Sequence, residues 1–266
     1  MNISIIGAGN MGAAVARGIL SHSPEHTISI SNPSREKLDA LLRDFPQLRT
    51  TTDNKTIIAS ADLIILAVKP WLIREVMEEI CPLIERPEQI LASLAGGIGL
   101  TELDSLLTRC SNTISPTLCR IMPNTAIALG SSMTFISTLR STPEQDEALA
   151  CLFSTMGRVM LIKEELMPAA TSLASCGIAF ALRYIRAAME GGVELGFRPS
   201  EAQEIVCQTL QGAIDLLHQK GAHPEAEIDK VTTPGGLTIR GLNAMEQTGF
   251  THSVQQGLRA SMGEKQ

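Results

Sequence analysis

Between residues 3 and 156 the chain alternates short apolar runs with amphipathic stretches, and this rhythm limits the possible folds more than any other feature. The segments 3–6, 28–30, 63–68, 90–94, 117–121 and 132–136 read as strands, and 10–20, 71–84, 101–107 and 143–156 as helices. A further helix is predicted where Asn32 and Pro33 form an N-cap and first-turn pair, with Leu38, Leu41, Leu42 and Phe45 following at i, i+3, i+4 and i+7. Strands that lack internal polar alternation and are separated by helices predict a parallel sheet covered on both faces.

From about Lys163 the strand signal stops. The segment 168–195 reads as one long apolar helix, either core or part of a dimer interface. Ser200 and Gln203 have capping-box spacing for a second helix carrying Ile205, Val206, Leu210, Ile214 and Leu217, which ends at Gly221. Gly249 and Phe250 separate two shorter helices. The expected class is therefore α/β, a Rossmann-type dinucleotide-binding domain over 1–162 followed by an all-α domain over 163–266.

With 266 residues, 44% of them hydrophobic, the chain can bury substantial cores. Its formal net charge is -6 and no basic run occurs, so the phosphate-neutralising surface that nucleic acid needs is absent. The first residues, MNISIIGAGNMG, have no basic leader region, and no later stretch holds about 18 uninterrupted apolar residues. A cytoplasmic location with no membrane partner is the expectation. The six cysteines form no CxxC pair and the five histidines no ligand-spaced cluster, which predicts reduced, buried thiols and no metal site.

The sharpest local motif of the first half is GAGNMG, Gly7 to Gly12, which follows the first strand and opens the first helix. In a dinucleotide site the first glycine allows the tight turn, the second lets backbone approach a pyrophosphate, and the third permits close helix–strand packing. The helix N-terminus adds a favourable dipole. An NAD site places an acidic residue at the end of the second strand to hold the ribose 2′-hydroxyl. Here that position reads SISNPSR, where Ser31, Asn32 and Arg35 could bind a 2′-phosphate, so NADPH is expected, with NADH as the alternative.

In the second half DKVTTPGGLTIRGL, 229–242, interrupts a helical region with a proline and paired glycines. Each glycine costs about 1 kcal/mol in a helix interior relative to alanine, so the break calls for a reason. Together with AVKPW at 67–71, LAGGI at 94–98 and RIMPN at 120–124, it makes the whole chain resemble the pyrroline-5-carboxylate reductases. That resemblance implies NAD(P)H-dependent reduction of the cyclic imine 1-pyrroline-5-carboxylate to L-proline, and homodimers or higher oligomers formed through the helical domain.

By resemblance, the cofactor contacts are Gly7, Ala8, Gly9, Asn10, Met11, Gly12, Ser31, Asn32, Asn54, Ala67, Val68, Lys69, Pro70, Ala95, Gly96 and Gly97. On the substrate side it implies Cys176, Gly177, Thr233, Gly235, Gly236, Leu237 and Thr238. Thr238 is the catalytic candidate, directing its hydroxyl at the ring nitrogen, while the amides of Gly235, Gly236 and Leu237 cradle the carboxylate. Arg120 either carries substrate charge or shapes the domain junction. The chain departs from the family at Ala174, Cys176, Ile178, Phe180 and Leu237. Those changes leave open a related cyclic imine, or an NADP-binding paralogue that regulates rather than catalyses. A hydroxyacid dehydrogenase would need a lysine early in the second domain, where 177–186 holds only Arg183 and Arg186 as cations. Cys176 has no neighbouring base in sequence to activate it as a nucleophile.

Overall fold

The computed structural model describes residues 1–110 and 114–262. They divide into two compact units, Met1–Ser175 and Cys176–Gln266. The first unit holds an eight-stranded sheet in the order β3-β2-β1-β4-β5-β6-β7-β8. Its strands are β1 (Asn2–Ile6), β2 (Thr27–Ser31), β3 (Arg49–Thr51), β4 (Leu63–Leu66), β5 (Ile90–Ser93), β6 (Thr117–Met122), β7 (Ser132–Leu139) and β8 (Gly157–Leu161). Between them run α1 (Asn10–His22), α2 (Arg35–Asp44), α3 (Ile73–Ile80), α4 (Leu100–Arg109) and α5 (Pro143–Ser154).

The absence of polar alternation in the strands follows from burial on both faces. In β4 the four side chains are fully buried: Leu63 and Ile65 join a core with α1 and α5, whereas Ile64 and Leu66 join one with α3 and α4. The strand order reverses between β1 and β4, which opens a crevice at their carboxyl ends.

The expected parallel sheet needs one correction. β7 runs antiparallel to β6, with Ile121 opposite Ile136, while β8 runs parallel to β7. A parallel return needs a crossover of a dozen or more residues. The link after β6 is only a short 3-10 turn, Thr125–Leu129, closed by Gly130 in the left-handed region.

Other departures are local. The helix placed after Asn32–Pro33 begins at Arg35, because Asn32 spends its side chain elsewhere: its Oδ1 accepts the Ala8 N–H at 3.0 Å and its Nδ2 donates to the Ser34 carbonyl at 3.1 Å. The helix read over 71–84 is α3 flanked by 3-10 turns at Pro70–Leu72 and Cys81–Leu83, each opened or interrupted by a proline that lacks an N–H. The capping partners of the second long helix are Arg198 and Glu201 rather than Ser200 and Gln203, since Pro199 occupies the first helical position. Two short edge strands are added to the expected set: β3, whose three residues RTT are polar, and β8, whose apolar part is the short run Val159 to Leu161. Among the cysteines Cys81 and Cys119 are buried, and burial raises both thiols well above their ordinary pKa. Cys151 and Cys207 are exposed, which corrects the expectation that the thiols are buried.

The single helix expected over 168–195 is a run of three pieces: α6 (Met167–Ala170), a π segment (Thr171–Cys176) and α7 (Gly177–Glu194). The second unit continues with α8 (Pro199–Leu217), α9 (Pro224–Val231), α10 (Leu237–Gln247) and α11 (Phe250–Ser261). α7 packs on α8 where Gly192 admits Ala202: a Cβ on Gly192 would lie 3.0 Å from that of Ala202. Tyr184 meets Phe250 edge-on at 6.4 Å. Ala202 is the only residue fully buried among the described residues of α7 to α11. Leu182, Leu195, Ile205, Ile214 and Leu216 stay exposed in the isolated chain. The segment Glu164–Glu194 is also long and apolar enough, by length and composition, to cross a membrane.

β8 depends on one glycine. Gly157 has φ +138°, and a Cβ there would fall 2.1 Å from the Ser132 carbonyl oxygen. Gly157→Ala is expected to lower unfolding stability by about 2 kcal/mol or more through strain and overpacking. Urea denaturation would measure it, and a loss below about 0.5 kcal/mol would contradict the tight β7–β8 start.

Candidate functional site

The crevice at the carboxyl ends of β1, β2, β4 and β5 forms a cavity of about 660 Å³. Its geometry shows two of the three glycine roles directly, the tight turn at Gly7 and the close helix packing at Gly12. Gly7 has φ +106°, and a Cβ on it would press to 2.7 Å of the Ala67 carbonyl oxygen. A Cβ on Gly12 would sit 2.0 Å from the Gly7 carbonyl oxygen, so only glycine lets α1 lie this close to the turn. Gly9 faces open space, with nothing within 4 Å of where a Cβ would be, and leads directly into α1. Asn10 and Met11, in the first turn of α1, line the crevice, and first-turn amides have no acceptor within a helix. This arrangement fits a dinucleotide pyrophosphate.

Of the residues expected to contact cofactor, Gly7, Gly9, Asn10, Met11, Asn32, Asn54, Ala67, Val68, Lys69, Pro70, Ala95 and Gly96 line this one cavity. Ala8, Gly12, Ser31, Arg35 and Gly97 are not among the lining residues. Ala8 and Gly12 are buried behind the turn, and Ser31 is buried at the end of β2 with its hydroxyl donated to Asn54 Oδ1 at 2.7 Å. Arg35 is exposed at the start of α2. Lys37, half a turn later, takes its place in the lining, along with Pro33, Glu75, Glu79 and Thr125, none of which was foreseen. Only the helical register of α2 separates Lys37 from Arg35, and a start misplaced by two residues hides that distinction.

Lys69 lies at the rim, 6.0 Å from the ring of Trp71. Arg120 is not free to carry substrate charge. It is buried and donates through Nη1 to Glu164 Oε1 at 2.7 Å. The same carboxylate oxygen accepts the Leu100 N–H at 3.2 Å and so caps α4, just beyond the Gly96–Gly97 turn. Arg120 Nε and Glu164 Oε2 are buried without partners. Ser175 donates to the carbonyl of Pro123 at 2.7 Å, which fixes the end of the π segment to the RIMPN stretch.

In the helical unit the interrupted stretch resolves into a turn. The Gly236 N–H donates to the Thr233 carbonyl at 2.9 Å, Pro234 occupies the second position, and Gly235 the third with φ +68°. These are the signatures of a type II turn. The turn uses the Gly236 amide internally, which removes it from the expected carboxylate cradle. A Cβ on Gly236 would meet Thr233 Oγ1 at 2.5 Å, so a larger residue there would displace that hydroxyl. The first-turn amides of α10, Leu237 and Thr238 among them, have no acceptor within the helix. Thr232 is spent on α9, donating to the carbonyls of Ile228 and Asp229. Leu237 and Thr238 are exposed, and Cys176 and Gly177 are half-buried where the π segment passes into α7. Among the described residues no group of three or more His, Cys, Asp or Glu could hold a metal ion.

Comparison with known proteins agrees with both halves. Residues 164–266 match a family model described as pyrroline-5-carboxylate reductase dimerisation, and residues 2–97 one described as NADP oxidoreductase, coenzyme F420-dependent. A pyrroline-5-carboxylate reductase 2 of Dictyostelium discoideum is 36% identical over 97% of this chain and 89% of that protein. Among solved structures, a 1-pyrroline-5-carboxylate reductase from Streptococcus pyogenes superposes with a TM-score of 0.86 at 29% identity, covering 98% of this chain and 96% of that one. A Plasmodium falciparum pyrroline carboxylate reductase solved with NADP bound shares the fold, with a TM-score of 0.88 at 23% identity over 98% and 95% of the two chains.

Removing one member of a buried ion pair strands the other. Arg120→Ala should destabilise the protein by about 2 kcal/mol, a value reduced from the usual cost because Glu164 keeps a third of its side chain exposed. Arg120→Met combined with Glu164→Leu should recover part of that loss. Thermal or urea unfolding of the two variants decides it, and equal losses would refute the coupling.

Proposed function

The chain belongs to the pyrroline-5-carboxylate reductase family, and on that premise we propose that it reduces the C=N bond of 1-pyrroline-5-carboxylate with NADPH to give L-proline, the last step of proline biosynthesis. The observation that carries this reading is the type II turn delivering α10 with Thr238 in its first turn, within the part of the chain matched to the family's dimerisation region.

The carboxylate of an imine acid needs donors fixed in place. The unpaired amides at the start of α10, including those of Leu237 and Thr238, supply them with the helix dipole behind. The amide of Gly235 stands beside them at the turn. The Thr238 hydroxyl is assigned to the ring nitrogen, where it orients the C=N bond and stabilises the proton that nitrogen carries. In the sheet unit the α1 turn holds the pyrophosphate, and the loops after β4 and β5, at Ala67–Pro70 and Ala95–Gly97, flank the dinucleotide. When bound, NADPH supplies the hydride that the imine carbon accepts. Orientation of the reactants then carries most of the rate, because a protonated imine needs no strong general acid.

Homo-oligomerisation through the helical unit belongs to the same reading. It gives the apolar residues left exposed on α7 and α8 a place to be buried, and the match of 164–266 to a dimerisation model supports it. The apolar length of Glu164–Glu194 is assigned to that pairing and not to a bilayer. A cytoplasmic location completes the proposal. The exposed Leu237, a departure from the family pattern, keeps a six-membered imine acid as a second substrate to be assayed.

Thr238→Ala is expected to lower kcat by roughly 10²-fold, the size of losing one aligned hydrogen-bonding group, here the oxygen that accepts from the protonated ring nitrogen. Steady-state assay with the five-membered imine acid measures this, and an unchanged kcat would remove Thr238 from the mechanism. Lys37, which lines the crevice, is assigned to the 2′-phosphate in place of Arg35. Lys37→Ala should therefore weaken NADPH binding by about tenfold, equivalent to one charge-assisted contact, and leave NADH nearly unaffected. Isothermal titration with each cofactor tests the difference, and equal weakening of both would reassign the lysine.

A further inference from the structure

The second strand ends without the acidic residue that usually holds a ribose 2′-hydroxyl, but the fold brings one there from elsewhere. Ser31, at the end of β2, donates its hydroxyl to Asn54 Oδ1 at 2.7 Å. Asn54 in turn donates through Nδ2 to Glu79 Oε2 at 2.7 Å. Glu79 stands in the last turn of α3, 48 residues beyond Ser31 in sequence (79 − 31), and lines the same cavity as Asn32, Lys37 and Asn54.

The direction of this chain is dictated by chemistry. A carboxylate only accepts, so Asn54 must turn its NH2 toward Glu79 and its oxygen toward Ser31. Ser31 must then give up its hydrogen inward. Ser31 is thereby used up as a donor to a 2′-phosphate and Asn32 is committed to Ala8 and Ser34, while Arg35 lies exposed outside the cavity lining. This corner of the crevice is left with acceptor character and negative charge. The cavity as a whole is lined by two lysines, Lys37 and Lys69, and two glutamates, Glu75 and Glu79.

We propose that Glu79 is a cofactor-specificity residue: tied through Asn54 to the end of β2, its carboxylate opposes a 2′-phosphate and favours the ribose hydroxyl of NADH, offsetting Lys37. The inference rests on reading this crevice as the dinucleotide site. It makes the chain an enzyme of mixed cofactor use, with the balance set by one carboxylate and one ammonium facing the same ribose.

The test is equilibrium titration of the purified wild-type protein, Glu79→Gln and Glu75→Gln with NADPH and with NADH, followed by the fluorescence of the reduced cofactor. Glu79→Gln keeps the side-chain volume and an acceptor oxygen but removes the charge. The ratio Kd(NADH)/Kd(NADPH) should rise about fivefold or more in Glu79→Gln, as expected when a like charge is removed from near a phosphate. Glu75→Gln, which lacks the tie to Asn54, should move the ratio less than half as far. General loosening of the site weakens both cofactors together and leaves the ratio alone, so the ratio isolates specificity from structural damage. A ratio unchanged within twofold, a shift toward NADH, or equal shifts in the two variants would overturn the assignment. Failure of the wild-type protein to bind either cofactor would instead bring down the dinucleotide reading on which it rests.

Discussion

The first unit depends on a contact that exists because an atom is missing. α1 approaches the turn after β1 so closely that a single methyl group on Gly12 would lie 2.0 Å from the Gly7 carbonyl oxygen. Gly7 in turn adopts a positive φ against the Ala67 backbone. These two positions set where the first helix begins, and therefore where its unpaired amides point. Gly7, Gly9 to Met11 and the loop after β4 all line the crevice at the strand reversal. Glycine's entropic cost of roughly 0.5–1 kcal/mol per position is accepted there because no other residue fits.

The second unit obeys a different economy. Its helices bury a single residue fully among those described, so internal packing explains little of why they hold together. The long apolar run from Glu164 to Glu194 makes sense once a second copy is expected to cover it, as the family's dimerisation region implies. On the proposed pairing, the stability of this half of the chain rises with protein concentration. The sheet unit, by contrast, fills three apolar cores of its own.

Much of this was legible from sequence, for physical reasons that differ by region. Doubly buried strands such as β4 announce themselves because every position is apolar, and GAGNMG because three backbone constraints fall at fixed spacing. The edge strand β3 was silent because RTT carries no apolar pattern, whereas β8 offers Val159 to Leu161, a run too short to tell a strand from the end of a helix. The reversal of β7 was hidden because polarity pattern reports burial and not direction. In the crevice, most of the expected backbone positions fall in one lining, whereas three of the expected side chains have other commitments or positions. Ser31, Asn32 and Arg35 have the right chemistry in the right place, yet hydrogen bonds to Asn54, Ala8 and Ser34, and the register of α2, decide what each can offer. Glu79 left no trace at all, because it reaches the end of β2 only through the packing of α3 against the 3-10 turn Asn54–Ile57.

The turn from Thr233 to Gly236 has a consequence for the temperature dependence of ligand capture. Pro234 restricts its own φ, Gly235 occupies a conformation that other residues rarely adopt, and the Gly236 amide is already bonded within the turn. The segment ahead of α10 is therefore ordered when the chain folds. On the proposed reading, an anion arriving at the helix start finds donors that need no rearrangement, so the ordering entropy, about 1–2 kcal/mol per residue for a loop that settles only on contact, is already met. Association at this end should then show little of the entropic penalty, and little of the heat-capacity signature, that mark a loop folding around its ligand.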